Sequence, residues 1–143
     1  MIEQIINRLD NDNAKKLLTG YIKARLYWQG TDIDDNELRP YYSGYTLFYK
    51  HNIAPQLGRD TRTENVTLKD TGAFYDDLDM NFGNEEIEIF SNIPYVKGLV
   101  EKYGQFLGFS NLDMIKIRNN DSIRDYVLEG IYDYVKNKTD NLW

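Results

Sequence analysis

The sequence contains no cysteine and a single histidine, His51. Without cysteine, disulfide bonds, thiol catalysis and cysteine-based zinc sites are excluded. The sequence also lacks any run approaching the roughly 20 apolar residues needed to cross a bilayer. The N-terminal segment MIEQIINRLDN carries an acid at Glu3 and reaches Arg8 only after its apolar residues. A secretory signal has the opposite order, so we expect a chain that is made and kept in the cytoplasm.

Motifs for catalysis and phosphate binding are missing as well. The sequence has no GxSxG, GxxxxGK[ST] or GxGxxG, and His51 has no positioned partner nearby. The stretch from Asp32 to Asn36 begins like a calcium loop, but Glu37 stands where glycine is required and Ser43 where a carboxylate is required. We therefore predict no catalytic, cofactor-binding or metal-binding residue, and a protein that is not an enzyme.

Positive charge is scarce, with 17 Lys and Arg against 23 Asp and Glu, for a formal net charge of −6. Nonspecific DNA binding depends on many Lys or Arg contacts with phosphates, so this balance argues against a DNA-gripping role. The hydrophobic fraction of 41% and charged fraction of 28% are ordinary for a folded protein. The 143 residues are most simply one domain, 1–143.

Aromatic residues, by contrast, are abundant. There are twelve tyrosines, and the stretch YYSGYTLFYK (41–50) holds five rings. Tyrosine buries a large area and keeps a polar tip, so this stretch fits either a tyrosine-rich core edge or a protein interface. The candidate interface residues are Tyr41, Tyr42, Tyr45, Phe48, Tyr49, Leu57 and Trp143.

Helical spacing of apolar residues marks the N-terminal part. Residues 2–28 follow it, with a polar break at residues 10–13. We expect Asp12 or Asn13 to cap a second helix after the break, and Gly30 to end it. Residues 31–62 show no clear period. We predict a long extended connection there, with a helical turn around residues 45–52, that is functional or ordered by a partner.

The middle and the C-terminal part predict strands and then helices. Val66 and Leu68 indicate a brief strand, and residues 78–82 and 87–89 alternate around a Gly-Asn pair, which is typical of a hairpin. Helical spacing returns after Pro94, and two further caps predict two or three C-terminal helices. This order predicts an α+β fold: N-terminal helix or helices, a long irregular connection, a small β-hairpin or antiparallel sheet, and C-terminal helices.

The stretch VTLKDTGAFYDDLD (66–79) places a tight turn directly after a strand-like run. Asp70 or Thr71 can cap the backbone amides that follow, and Gly72 permits a conformation that a Cβ atom would forbid. Phe74 and Tyr75 would then anchor this corner in the core. We favour this structural turn over a ligand-binding site.

The same stretch resembles the strand-to-helix corner TLxDTGxFY of small phage and prophage virion proteins, of the tail-completion or head–tail connector (neck) type. Other segments resemble this family in the same order along the chain. They are LYWQGTD (26–32), LRPYYS (38–43) with Thr46, IEIFS (87–91) and LVEKYGQFLGFS (99–110). The resemblance covers about residues 26 to 110.

The resemblance implies a bacteriophage structural protein of the neck, which acts by protein–protein assembly. Its implied partners are copies of itself in a ring and the portal, connector and tail proteins. It implies no membrane and no sequence-specific nucleic-acid binding, with DNA passing through the lumen. The implied location is the virion, assembled in the cytoplasm of the bacterial host.

Two other functions stay open on the sequence alone. The acidic charge fits a phage accessory protein that mimics DNA and occupies a host nucleic-acid-binding protein. A small hydrolase that uses a carboxylate pair is the second alternative, because the separation of such a pair is spatial and not sequential. The acids to consider are Asp32, Asp34, Asp76, Asp77 and Asp79.

Overall fold

Helices at both ends of the chain flank a small antiparallel sheet, so the predicted α+β class is confirmed. The structure, a computed structural model, describes residues 1–84 and 86–140. The elements are α1 (Ile2–Leu9), α2 (Asp12–Trp28), α3 (Gly44–Phe48), a π-helix (Tyr49–Ile53), α4 (Ala54–Leu57), α5 (Ala73–Asp77), β1 (Asp79–Phe82), β2 (Ile87–Phe90), α6 (Val96–Tyr103), α7 (Asn111–Arg118) and α8 (Asp121–Asp140).

The break between α1 and α2 falls where the sequence predicts it, but its cap is a different residue. The side chain of Asn11 accepts a hydrogen bond of 2.8 Å from the amide of Ala14. Asp12, by contrast, is already the first residue of α2, so the prediction of Asp12 or Asn13 as the cap is wrong by one or two positions. The helix ends at Trp28, and Gly30 follows with φ +61°, as expected for a glycine stop.

The predicted helical turn around residues 45–52 is present but is longer than predicted, because residues 44–57 are helical throughout. The side chain of Ser43 caps α3, and Gly58 adopts a left-handed conformation after α4. The π-helix of residues 49–53 lies between them. A π-turn places one more residue in the turn than an α-turn does, which shifts the phase of the apolar pattern and hides the helix from a search at period 3.6.

The strand predicted at Val66 and Leu68 is also absent, since residues 66–69 pair with no strand. Leu68 has φ +58°, which is incompatible with a regular strand. The amide of Thr67 instead donates a 2.7 Å hydrogen bond to the hydroxyl of Tyr42. A tertiary hydrogen bond therefore satisfies the amide of Thr67, which the local pattern predicts to be part of a strand.

The hairpin and the C-terminal helices follow the prediction. β1 pairs antiparallel with β2, with Met80 opposite Ile89. Helix α7 begins with a complete capping box between Ser110 and Asp113. The side chain of Asn120 accepts a 3.0 Å hydrogen bond from the amide of Ile123 in the first turn of α8. These signals are local, which explains why the sequence reveals them.

The main core lies between α2, α5 and the segment that joins α6 to α7. Its most buried members include Ile22, Leu26, Phe74 and Phe106, with the rings of Phe74 and Phe106 packed edge to face at 6.0 Å between centroids. Arg25 is buried beside this core and forms an ion pair with Asp113 of α7. The core therefore fixes α2 against the C-terminal half of the chain.

Candidate protein-interaction surfaces

The Asp-Thr-Gly segment forms a tight turn directly before α5. The hydroxyl of Thr71 accepts a 3.2 Å hydrogen bond from the amide of Ala73, and Gly72 adopts φ +94° at the start of α5. Phe74 and Tyr75 are buried immediately after it. Asp70 does not cap this turn; its carboxylate accepts a 2.9 Å hydrogen bond from the hydroxyl of Tyr49.

A buried ion pair anchors the helical segment 44–57 to this corner. The ammonium group of Lys50 lies 2.8 Å from the carboxylate of Asp60, and the two side chains are only 6% and 3% exposed. Thr67 also donates a 3.0 Å hydrogen bond to the same carboxylate. Burial acts to raise the pKa of Asp60, but hydrogen bonds from Lys50, Tyr27 and Thr67 lower it by more, so the net shift is downward. Asp60 is therefore held in its charged form.

The hydroxyl groups next to this pair have structural partners. Tyr75 donates to the carbonyl oxygen of Thr67, and burial raises the pKa of the Tyr75 hydroxyl far above its usual value. Tyr42, half-buried, accepts from the Thr67 amide. The Tyr75 hydroxyl is therefore held as a hydrogen-bond donor inside the fold.

Several large apolar side chains of residues 41–57 remain exposed, and we call them the aromatic surface. They are Tyr41, Tyr45, Phe48, Ile53 and Leu57. Tyr45, the most open of them, is 76% exposed. Four of the predicted interface residues thus lie at the surface. Tyr42 and Tyr49 are half-buried with their hydroxyls bonded inside the chain, and Trp143 lies outside the described residues.

A second exposed set, the α8 ridge, consists of Leu128, Tyr132 and Val135. These residues are spaced i, i+4 and i+7, so they share one face of the helix. The opposite face contacts α1, where a Cβ atom on Gly130 would lie 2.5 Å from the Cα atom of Ile5. Tyr132 is 66% exposed, whereas Leu128 lines an apolar groove with Met114 and Ile117 of α7.

A third feature, the α1–hairpin cleft, lies between α1 and the tip of the hairpin. It has a volume of about 1310 Å³. Its apolar lining comes from Met1, Ile2, Ile6 and Phe82. Its carboxylates come from Glu3, Asp10 and Glu86. Ile2 is 59% exposed, so apolar surface at this cleft is open to a partner.

Of the acids considered for catalysis or metal binding, Asp76, Asp77 and Asp79 line one open depression, which also has Lys15, Lys16 and Lys23 in its lining. Within residues 1–84 and 86–140, no group of three or more His, Asp or Glu side chains is arranged to hold a metal ion. Asp32 accepts hydrogen bonds from two amides of its own loop, Asp77 from the amide of Asn92, and Asp79 from the amide of Met80. These three carboxylates therefore stabilise the backbone conformation of the segments whose amides they bond.

Neither the α8 ridge nor the α1–hairpin cleft is among the interface residues that the sequence predicts. Helix α8 has apolar residues outside the single stripe that one buried face requires, and these additional residues are a sequence signal for the ridge. The cleft has no local signal, because it forms only where α1 and the hairpin approach each other.

Comparison with known protein families, with curated proteins and with solved structures finds no match for this chain. Among the described residues, no helix combines the length and the apolar character needed to cross a bilayer.

Proposed function

We propose that the chain is a structural protein of a bacterial virus that acts at the junction of head and tail, by binding copies of itself and other virion proteins. The observation that carries the proposal is the presence of exposed apolar side chains on three separate surfaces of one small chain. Contiguous exposed apolar surface commonly marks a site of protein–protein contact. The family resemblance of residues 26 to 110 supplies the particular setting.

A closed ring requires two different contact surfaces on each copy, because every subunit meets its two neighbours through opposite sides. The aromatic surface, the α8 ridge and the α1–hairpin cleft have no residue in common. The chain therefore offers enough distinct surfaces for a ring contact and for a further contact with a portal or tail protein.

The net charge of −6 suits this setting. A subunit that surrounds a DNA passage must not hold the phosphates, and an excess of carboxylates repels them. This charge would equally suit a DNA mimic that occupies a host protein. A carboxylate-dependent hydrolase is the other alternative: Asp76, Asp77 and Asp79 line one depression, although Asp77 and Asp79 also accept hydrogen bonds from backbone amides.

Deletion of the gene from its viral or prophage genome tests the proposal. We expect DNA-filled heads and separate tails in negative-stain electron micrographs, and restored infectivity when the wild-type chain is supplied in trans. A Tyr45→Ser/Phe48→Ser variant should fail to restore infectivity. A His51→Ser variant should succeed, since His51 is exposed on the same helical segment but outside the aromatic surface. Joined, infectious particles in the absence of the chain would contradict the proposal.

A further inference from the structure

We infer that a pocket beside the buried Lys50–Asp60 pair binds a small aromatic carboxylate. The pocket lies between the helical segment 44–57, residues 66–70 and α6, and its volume is about 230 Å³. Pockets for drug-sized ligands have roughly 300–1,000 Å³, so this one fits a smaller molecule with a single ring. The inference goes beyond the proposed function and does not rest on it.

The walls of the pocket suit a flat apolar ring. They include three tyrosine rings and three aliphatic side chains, which are Tyr42, Tyr49, Tyr103, Val66, Leu68 and Leu99. Aromatic rings attract one another in stacked or edge-to-face arrangements, beyond the effect of buried area alone. The hydroxyl of Tyr42 is bonded to the amide of Thr67 and that of Tyr49 to Asp70, so these two rings are held in place without a ligand.

One charged side chain of the pocket is almost fully buried. Lys50 lines the pocket, and its side chain is only 6% exposed. Within the described residues, its ammonium group donates to the carboxylate of Asp60 at 2.8 Å and to the carbonyl oxygen of Lys69 at 3.3 Å. An ammonium group has three N–H donors, so one remains for an acceptor atom of a ligand.

A second donor of the pocket lies one helical turn before Lys50. Thr46 also lines the pocket, and its hydroxyl accepts a 3.2 Å hydrogen bond from the hydroxyl of Ser43. The proton of the Thr46 hydroxyl can therefore be donated to a ligand. Residues four apart lie on the same side of a helical segment, so the two donors face one region. Two donors directed at one region match the two oxygens of a carboxylate.

The charged groups around the pocket favour an anion. Those that line it, pair with a lining residue or lie over one of its rings are four cations, Lys50, Arg59, Lys69 and Lys102, and two carboxylates, Asp60 and Asp70. If Asp76, which lies near Lys69 at Gly72, is counted as well, the balance is still positive. The pocket is thus a locally positive site in a chain whose net charge is −6.

The acid of α6 does not cancel this charge. Glu101 lies two positions from both Leu99 and Tyr103, and two positions rotate a side chain by about 200° around a helix, so Glu101 projects from the opposite side. The ammonium group of Lys102, by contrast, lies 5.2 Å from the centroid of the Tyr103 ring. Helix α6 therefore adds positive charge beside the pocket.

Two uncommon backbone conformations meet at the pocket. Leu68 has φ +58°, in the left-handed region that favours glycine. Tyr49 and Lys50 belong to the π-helix of residues 49–53. Conformations of both kinds are concentrated at binding and catalytic sites, where the surrounding fold holds them in place. Their coincidence at one pocket supports its assignment as a ligand site.

Titration of the isotope-labelled, full-length chain with benzoate, followed by NMR, tests the inference. We expect saturable shifts of the amide signals of residues 46–50, 66–70 and 99–103, with a dissociation constant of about 1 mM or lower. Benzamide has nearly the same shape without the charge. It should bind at least about fivefold more weakly, because it cannot form a charge-assisted hydrogen bond with Lys50.

Two leucine variants test the location of the site. Leu99→Phe enlarges a half-buried side chain of the pocket wall and should raise the dissociation constant of benzoate at least about tenfold. Leu128→Phe makes the same change at an exposed position of α8 and should bind benzoate like the wild type. If the spectrum of Leu99→Phe shows loss of the fold, Thr46→Val replaces it. This variant removes one donor and should raise the constant at least about threefold.

The absence of saturable shifts at up to about 10 mM benzoate would overturn the inference. So would shifts confined to other parts of the chain, equal affinity for benzamide and benzoate, or unchanged benzoate binding by the folded pocket variant. The titration needs only the purified chain, whereas the gene deletion is read from particles. Failure of this site is therefore distinguishable from failure of the proposed function.

Discussion

At the scale of single residues, the interior is organised by charged side chains as well as by apolar ones. Arg25 and Asp113 form an ion pair in which neither side chain is more than 1% exposed. Removing such charges from water costs several kcal/mol unless further hydrogen bonds compensate. Arg25 supplies these bonds by donating to the carbonyl oxygens of Thr31, Phe106 and Gly108 at 3.1, 2.5 and 2.9 Å. One side chain thereby bonds two connecting segments, residues 29–43 and 104–110.

Replacement of this arginine should be severe. Arg25→Met leaves the carboxylate of Asp113 buried without its cation and removes the donors from three carbonyl groups, so we expect the free energy of unfolding to fall by about 3–5 kcal/mol. Urea denaturation measures the change. Arg39→Met is the matched control, since Arg39 pairs with Glu37 at 3.0 Å with both side chains at least 73% exposed, and it should change stability by less than about 0.5 kcal/mol.

The Lys50–Asp60 pair predicts a pH dependence. The pKa of Asp60 is lower in the folded chain than its ordinary value of 3.8, so the charged form stabilises the fold above that pH. This contribution is lost as the pH falls through the folded pKa. Asp60→Asn should therefore be less stable than the wild type by a constant amount between about pH 5 and 7, and the difference should shrink below about pH 4. Urea denaturation across this range measures it, and a difference that grows on acidification would contradict the assignment.

At the scale of elements, the position of α1 depends on one close crossing with α8. It has no buried residue of its own, and its backbone at Ile5 approaches α8 where Gly130 has no side chain. Arg8 adds an ion pair to Asp133 with a shortest distance of 2.6 Å. The hydrogen bond from Arg8 lowers the pKa of Asp133 by more than partial desolvation raises it, so the net shift is downward.

Two glycine-to-alanine substitutions should have opposite effects on the stability of the fold. Gly130→Ala places a Cβ atom 2.5 Å from the Cα atom of Ile5, so we expect α1 to be displaced and stability to fall by about 1–3 kcal/mol. Gly20→Ala in α2 meets no atom within 4 Å, so the better helix propensity of alanine should raise stability by about 0.5–1 kcal/mol. Thermal unfolding of the two variants checks both signs; a stabilised Gly130→Ala chain would exclude the close crossing.

The same scale explains which elements the sequence could predict. The break before α2, the hairpin and α6 to α8 carry local signals in caps, glycines and periodic apolar residues. The sequence predicts only a helical turn around residues 45–52 and not the full helical segment 44–57, because the π-turn disturbs the period. The sequence predicts a strand at residues 66–69, whereas the amide of Thr67 bonds the hydroxyl of Tyr42. Tyr42 lies 25 positions away in the sequence, so the local pattern does not reveal this contact. Local patterns carry no information about such a partner.

At the scale of the whole molecule, the candidate interaction surfaces were only partly predictable. Tyr41, Tyr45, Phe48 and Leu57 are exposed as an interface requires, and their density in the sequence drew attention to them. Composition alone did not separate them from their half-buried neighbours in the same stretch. The α8 ridge and the α1–hairpin cleft depend on how α1 and the hairpin pack around α8, which only the folded chain reveals.

The central claim is that this chain works as a component of an assembled virus particle. Quantitative mass spectrometry of purified particles from the virus or prophage that encodes the chain tests it most directly. We expect its peptides at several copies per particle, in constant ratio to those of the portal protein. Particles that contain capsid, portal and tail peptides but none from this chain would contradict the claim.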